Sequence, residues 1–130
     1  FAAQLPDDRE GCVINMLDNK VFSPNPDYFS YSVGKLGLKG LTEMAAMALG
    51  PRIRVCGIAP GLTTISGDQK EDDFKRQSTM NLLEKSSNPE EIAKTVQYIL
   101  ESKVLNGQII VVDGGQYLMR LPRDVAFLDE

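Results

Sequence analysis

The sequence contains no histidine and no tryptophan among its 130 residues. Without histidine, a Ser-His-Asp type of catalytic triad is excluded, and so is the commonest side-chain ligand of transition metals. Side-chain catalysis therefore depends on tyrosine, lysine, aspartate or glutamate. We predict no metal site.

Long apolar runs and concentrations of positive charge are missing as well. No segment approaches the ~20 consecutive apolar residues that span a bilayer. The composition, 42% hydrophobic and 25% charged residues, is that of a globular protein, and the net charge is -4. We therefore expect a cytoplasmic protein that has a small-molecule substrate and binds neither membranes nor nucleic acid.

Only two cysteines are present, Cys12 and Cys56, and each lies in an apolar segment. They form neither a Cys-x-x-Cys pair nor a dense disulfide framework. We expect both to be reduced thiols in the core.

Three short apolar segments are bounded by turn-forming residues, which is typical of strands buried on both faces. They cover residues 12–17, 52–58 and 108–113. A long helix is predicted over residues 28–49, a short one over 72–83, and a third from the capping residue Asn88 onward. Alternating strands and helices predict an α/β protein with a parallel sheet and right-handed crossovers.

Apolar residues at helical spacing predict which helix faces are buried. In the long helix they are Leu36, Leu41, Met44, Ala45 and Ala48, and in the third helix Ile92, Val96, Ile99 and Leu100. We expect both stripes to pack on the sheet.

Tyr31 and Lys35 are four residues apart near the start of the long helix, so they share one face. A neighbouring ammonium lowers the pKa of a phenol from its usual value of about 10, which makes it a better proton donor near neutral pH. Asp18 follows the first strand, thirteen residues before Tyr31. The alternatives are an exposed helix face for Tyr31 and Lys35, and a simple turn cap for Asp18.

Three signals fall at the carboxyl ends of the predicted strands, which is where parallel sheets bind ligands. They are Asp18, Pro60-Gly61 and Asp113-Gly114-Gly115. Because these strand ends share one edge, we expect the site to lie there.

Taken together, these residues resemble the C-terminal half of the short-chain dehydrogenase/reductase family. The resemblance implies a Rossmann-like, doubly wound parallel sheet, of which the chain holds the last three strands and their helices. The residues that it implies to be catalytic are Asp18, Tyr31 and Lys35. Those that it assigns to cofactor contact are Tyr31, Lys35, Pro60, Gly61, Leu62 and Thr63.

Most of the family has serine at the position of Asp18, where the hydroxyl donates a hydrogen bond to a substrate carbonyl. An ionised aspartate only accepts hydrogen bonds and would repel a developing oxyanion. Aspartate at this position is similar to the pteridine reductases and the bacterial dihydromonapterin and dihydrofolate reductases of the family. The resemblance therefore implies NADPH-dependent reduction of a pterin or folate C=N bond, with the proton supplied through Tyr31 and Asp18.

Two other interpretations stay open: a carbonyl or 3-oxoacyl reductase that tolerates Asp18, and an inactive fragment. No Gly-rich turn for a pyrophosphate follows a strand in this sequence. We expect residues 1–130 to be the C-terminal part of one reductase domain, without its nucleotide-binding half. The resemblance also implies NADPH rather than NADH, and a homodimer or homotetramer.

Overall fold

A computed structural model describes residues 1–128. Within them, one parallel sheet has the strand order β1-β2-β3, where β1 is Gly11–Met16, β2 is Ile53–Pro60 and β3 is Ile109–Val112. The helices α1, α2 and α3 cover Phe29–Leu49, Glu71–Ser78 and Pro89–Glu101. Short 3-10 turns cover Ala2–Gln4, Asn19–Val21, Gln116–Met119 and Val125–Phe127. The predicted α/β class and parallel sheet are confirmed.

The central strand β2 is the centre of the core. Its alternate side chains face opposite sides of the sheet. Ile53 and Val55 pack against Ala46 of α1. On the other side, Cys56 and Ile58 pack against Ile99 of α3. The strand is thus covered on both faces by helices, which explains its nearly continuous apolar sequence.

Helix α1 turns a different face to the sheet from the one predicted. Of the expected stripe, Leu36, Leu41 and Met44 are 40%, 52% and 62% exposed. The buried side is instead centred on Thr42 and Ala46. The hydroxyl of Thr42 donates to Leu38 O at 2.7 Å and accepts from Asn15 Nδ2 at 2.9 Å, so a polar residue is accommodated in the core.

Helix α3 begins as predicted, because Asn88 Oδ1 accepts a hydrogen bond from Glu91 N at 3.0 Å and Pro89 occupies the first turn. Ile99 is buried, whereas Leu100 is 47% exposed, contrary to prediction. Among residues 1–128, no helix combines the length and apolar character that a bilayer span needs.

Helix α2 ends at Ser78 rather than at residue 83. The side-chain amide of Asn81 donates to Ser78 O at 3.1 Å and to Lys85 O at 2.7 Å. These bonds fold the chain into a turn immediately after the helix, which a helical periodicity cannot reveal.

Strand β1 is at the edge of the sheet. Gly11 N donates to Arg52 O and Leu17 N to Ile58 O, so the odd-numbered amides of this segment face β2. The amides of the even-numbered residues Cys12 and Ile14 therefore point outward. No strand within residues 1–128 pairs with that outer edge.

Candidate active site

The sheet and α1 bring Asp18 and Tyr31 into direct contact. Asp18 follows β1, and Tyr31 is in the first turn of α1, which starts after Tyr28 in a left-handed conformation, with φ 51°. The Tyr31 hydroxyl donates to Asp18 Oδ2 at 2.9 Å. The other carboxylate oxygen accepts from Lys20 N at 2.9 Å, so the cap expected as an alternative is also present.

Lys35 lies beside Tyr31, as the helical spacing predicts. Its ammonium is 5.6 Å from the centre of the Tyr31 ring and donates to Met16 O at 2.7 Å. An ammonium has three N–H groups, so donors remain for a ligand hydroxyl. The lysine thus contacts the ring face and the end of β1, while the phenol hydroxyl contacts Asp18.

The pKa of Tyr31 is raised, not lowered. Burial is the largest cause, followed by the negative charge of Asp18, its hydrogen bond to the hydroxyl and the charge of Asp124. The sequence expectation was wrong because it considered Lys35 and left out burial and the carboxylates. Tyr31 therefore holds its proton at neutral pH and gives it up readily only to a strongly basic atom.

The loop after β2 reaches the same edge of the sheet. Gly61 N donates to Val112 O at 3.0 Å, and the Thr63 hydroxyl donates to Gly61 O at 2.8 Å. A side chain at Gly61 would place Cβ 3.0 Å from Cβ of Asp113, so the close packing favours glycine here. Pro60 is the last residue of β2, directly before this contact.

A cleft of about 750 Å³ opens at this edge. Of the residues singled out from the sequence, Asp18, Tyr31 and Leu62 line it. Further lining comes from the loop around Gly67 and from Asp124 to Ala126 near the C-terminus. Its volume is that of an ordinary small-molecule site. Within residues 1–128, no three His, Cys, Asp or Glu side chains are grouped in a way that would hold a metal ion.

The C-terminal wall of the cleft was not foreseen from the sequence. Asp124 forms an ion pair with Lys20 at 2.5 Å. Asp27 accepts from Arg123 Nε at 2.8 Å and from Asp124 N at 2.7 Å, and these bonds lower its pKa. The partners are about one hundred residues apart in the sequence, so no local pattern signals these contacts.

A buried polar network lies below the cleft and was also missed. Asn19 Nδ2 donates to Asp113 Oδ2 at 3.0 Å and to Gln116 Oε1 at 2.7 Å. Asp113 also accepts from Gly115 N and Tyr117 N, each at 2.8 Å. The only signal in the sequence was the position of Asp113 at a strand end.

The fold is that of a Rossmann-like α/β protein, and comparisons with known proteins identify its family. The profile of the family described as Enoyl-(Acyl carrier protein) reductase matches residues 2–116. The short-chain dehydrogenase/reductase homolog YusR of Bacillus subtilis is 33% identical over 111 residues, which cover 85% of this chain and 86% of that protein. The chain therefore belongs to the short-chain dehydrogenase/reductase family.

Two further proteins that are similar to this chain have names that match the branch of the family predicted from the sequence. Pteridine reductase 1 of Leishmania tarentolae is 33% identical over 114 residues, covering 83% of this chain and 39% of that protein. The solved structure of FolM alternative dihydrofolate reductase 1 from Brucella canis, complexed with NADP, is 42% identical, with a TM-score of 0.86 over 90% of this chain and 47% of that one. The chain thus spans less than half the length of these two proteins.

Proposed function

We propose that this chain carries the proton-transfer side of an NADPH-dependent reductase acting on a C=N bond of a dihydropterin or dihydrofolate. The observation that supports this most directly is the 2.9 Å hydrogen bond from the Tyr31 hydroxyl to Asp18. A carboxylate at this point disfavours an oxyanion and accepts from N–H or O–H donors. The likeness to FolM and to pteridine reductase supports the same substrate class.

The proposed chemistry uses Tyr31 as the acid and Asp18 as its partner. NADPH, when bound, supplies a hydride to the carbon of the C=N bond. The nitrogen then becomes strongly basic, and even a phenol with a raised pKa protonates it. The phenol donates to Asp18 until the substrate nitrogen accepts its proton, and Asp18 then relays a replacement proton from water.

The residues present fit the nicotinamide side of such a cofactor. Lys35 keeps N–H donors for ribose hydroxyls after its bond to Met16 O. Gly61 permits close approach of backbone, and Leu62 adds an apolar surface in the cleft. With Pro60 and Thr63 in the same loop, these are the residues that we propose would hold the nicotinamide end.

The phosphates of the cofactor need a further binding element. We propose that this 130-residue chain is the C-terminal part of a reductase domain, and that a Gly-rich turn in an N-terminal half completes the nucleotide site. We also propose a homodimer or homotetramer in the cytoplasm. The exposed face of α1 supports assembly, because Met44 and Met47 are 62% and 83% exposed.

The substrate class is tested by NADPH oxidation in the complete protein with dihydrobiopterin, dihydrofolate and a 3-oxoacyl thioester. We expect turnover with the dihydropterin or dihydrofolate and little with the thioester. Equal or faster turnover of the thioester would favour the carbonyl or 3-oxoacyl reductase alternative.

The role of Tyr31 is tested separately by Tyr31→Phe, which keeps the ring and removes only the hydroxyl. We expect turnover to fall by roughly 10²- to 10⁴-fold, the contribution of a general acid. NADPH binding, followed by fluorescence, is expected to persist. Tyr98→Phe is the matched control, because Tyr98 is 57% exposed on α3, away from the cleft. Full activity of Tyr31→Phe would contradict the assignment.

A further inference from the structure

The residue after Asp18 is buried and bonded across the sheet. Asn19 is 8% exposed, and its side-chain amide donates to Asp113 and Gln116 from the far end of the chain. Neither bond is required for the 3-10 turn that contains Asn19, since that turn closes through Phe22 N and Asn19 O. The side chain therefore has a function beyond local chain folding.

The backbone links Asn19 to the carboxylate of Asp18. Asp18 Oδ1 accepts from Lys20 N, the amide that directly follows Asn19. If the Asn19 side chain is held at the end of β3, the Lys20 amide is fixed, and with it the rotamer of Asp18. The second carboxylate oxygen is then directed to the Tyr31 hydroxyl.

The same anchor reaches the loop after β2. Asp113 lies directly under Gly61, where an added Cβ would be 3.0 Å from Cβ of Asp113 and 3.8 Å from Asn19 Nδ2. Gln116 continues the network by donating to Met80 O at 2.9 Å, beyond α2. This network thus joins the chain after β1 to the chain after β3 and packs against the loop after β2.

We propose that Asn19 is a positioning residue, which aligns Asp18 with Tyr31 by anchoring the turn after β1 to Asp113 and Gln116. Asn19 is buried and is not among the residues that line the cleft. The proposal rests on the catalytic role proposed above for the Asp18–Tyr31 pair. It predicts that Asn19 controls the geometry of the hydrogen bond between Tyr31 and Asp18 and not only the stability of the fold.

The ionisation of Tyr31 reports on this alignment without any substrate. The charged groups around Tyr31 are Asp18 after β1, Lys35 on α1 and Asp124 in the C-terminal segment. Asp18 is connected to Asn19 through the Lys20 amide, and Asp124 through the ion pair of the Lys20 side chain. Loss of the anchor therefore weakens the influence of these carboxylates and lowers the pKa of the phenol, while Lys35 keeps its bond to Met16 O.

The experiment follows tyrosinate absorbance against pH in the complete protein and in its Asn19→Ala variant. For each of them, the curve of the same protein with the added Tyr31→Phe substitution is subtracted, which leaves the signal of Tyr31. We expect the Tyr31 titration to shift to lower pH in Asn19→Ala. Asn19→Ser is measured alongside, because its hydroxyl keeps a polar group near Asp113 and preserves folding. Asn25→Ala is the matched control, since Asn25 lies in the same loop and bonds only to Asp27 N among the described contacts.

Turnover provides the second measurement. With dihydropterin as substrate, kcat is expected to fall about 10- to 100-fold in Asn19→Ala and Asn19→Ser with little change in KM, as a small misplacement of a catalytic group does. An unchanged Tyr31 midpoint in both variants, together with a lowered urea midpoint, would overturn the proposal and leave Asn19 a structural residue. A shifted Tyr31 midpoint in a protein that reduces no dihydropterin would support the positioning role while refuting the proposed function.

Discussion

Asp18 and Asp113 both lie just beyond a strand of the same parallel sheet, yet their carboxylates have different surroundings. Asp18 lines the cleft, and within residues 1–128 its Oδ2 accepts one hydrogen bond, from the Tyr31 hydroxyl. Asp113 is 4% exposed and accepts hydrogen bonds from Asn19, Gly115 and Tyr117. A carboxylate with free acceptor capacity in a cleft is available for chemistry, whereas one saturated by buried donors stabilises the fold.

The strongest test of this contrast is removal of the carboxylate that faces the cleft. Asp18→Ala is expected to lower turnover of the complete protein by about 10²- to 10⁴-fold, because Tyr31 loses its partner in proton transfer. Its free energy of unfolding is expected to change by only about 1 kcal/mol, the value of one lost turn cap. Steady-state NADPH oxidation and urea unfolding measure the two effects. A large loss of stability with normal turnover would reverse the roles of the two aspartates.

The opposite effect is expected at Asp113. Asp113→Ala leaves the buried donors of Asn19, Gly115 and Tyr117 without their acceptor, which costs about 3 kcal/mol of unfolding free energy. Urea unfolding at neutral pH measures the loss. Asp8→Ala is the control, because Asp8 is exposed in the N-terminal turn. If Asp113→Ala were as stable as this control, the polar network around Asp113 would contribute little to the free energy of unfolding.

Glycines sharpen the same contrast between the packed strand end and an open surface. Gly114 has φ 65°, and a side chain there would collide with Asn81, so Gly114→Ala is expected to cost about 1–3 kcal/mol. A Cβ added at Gly37 in α1 would meet no atom within 4 Å outside the backbone of its own helix. Gly37→Ala is therefore expected to stabilise the helix by about 0.5–1 kcal/mol. Thermal unfolding of both variants shows whether each substitution stabilises or destabilises the protein. Equal changes in stability would contradict the difference in packing between the two glycines.

The smallest effect concerns alkaline pH. Because the pKa of Tyr31 is raised in the folded state, its contribution to stability is fully present below the unfolded pKa of about 10 and is lost as pH rises through the folded value. Asp18→Asn is expected to weaken this dependence, and Tyr31→Phe to remove it. Asp8→Asn leaves it unchanged, because Asp8 is exposed in the N-terminal turn. Urea midpoints measured between about pH 9 and 11 give the slope of stability against pH. An identical slope in all variants would contradict the assignment of this dependence to Tyr31.

Local signals explain which parts of the fold could be predicted. Asn88 and Pro89 fix the start of α3 through a side-chain cap and a proline in the first turn. The strand ending at Pro60 was visible because an apolar run precedes a Pro-Gly turn. Tyr31 and Lys35 share a face because helix geometry alone dictates it.

Long-range contacts explain the errors. Helical periodicity shows that α1 has apolar residues on its surface but not which of them meet the sheet, so Thr42 was overlooked and Leu41 misplaced. The pKa of Tyr31 depends on the rotamer of Asp18, and that rotamer depends on the turn held by Asn19. The ion pair between Lys20 and Asp124 joins residues whose proximity is created only by the complete fold.

The outer edge of β1 has a practical meaning for anyone who handles this chain. Its outward amides at Cys12 and Ile14 form a template that another strand can extend. We expect concentrated solutions of residues 1–130 to lose soluble protein over days by edge-to-edge pairing. Colloidal behaviour, more than thermal resistance, then sets the concentration at which the chain can be studied.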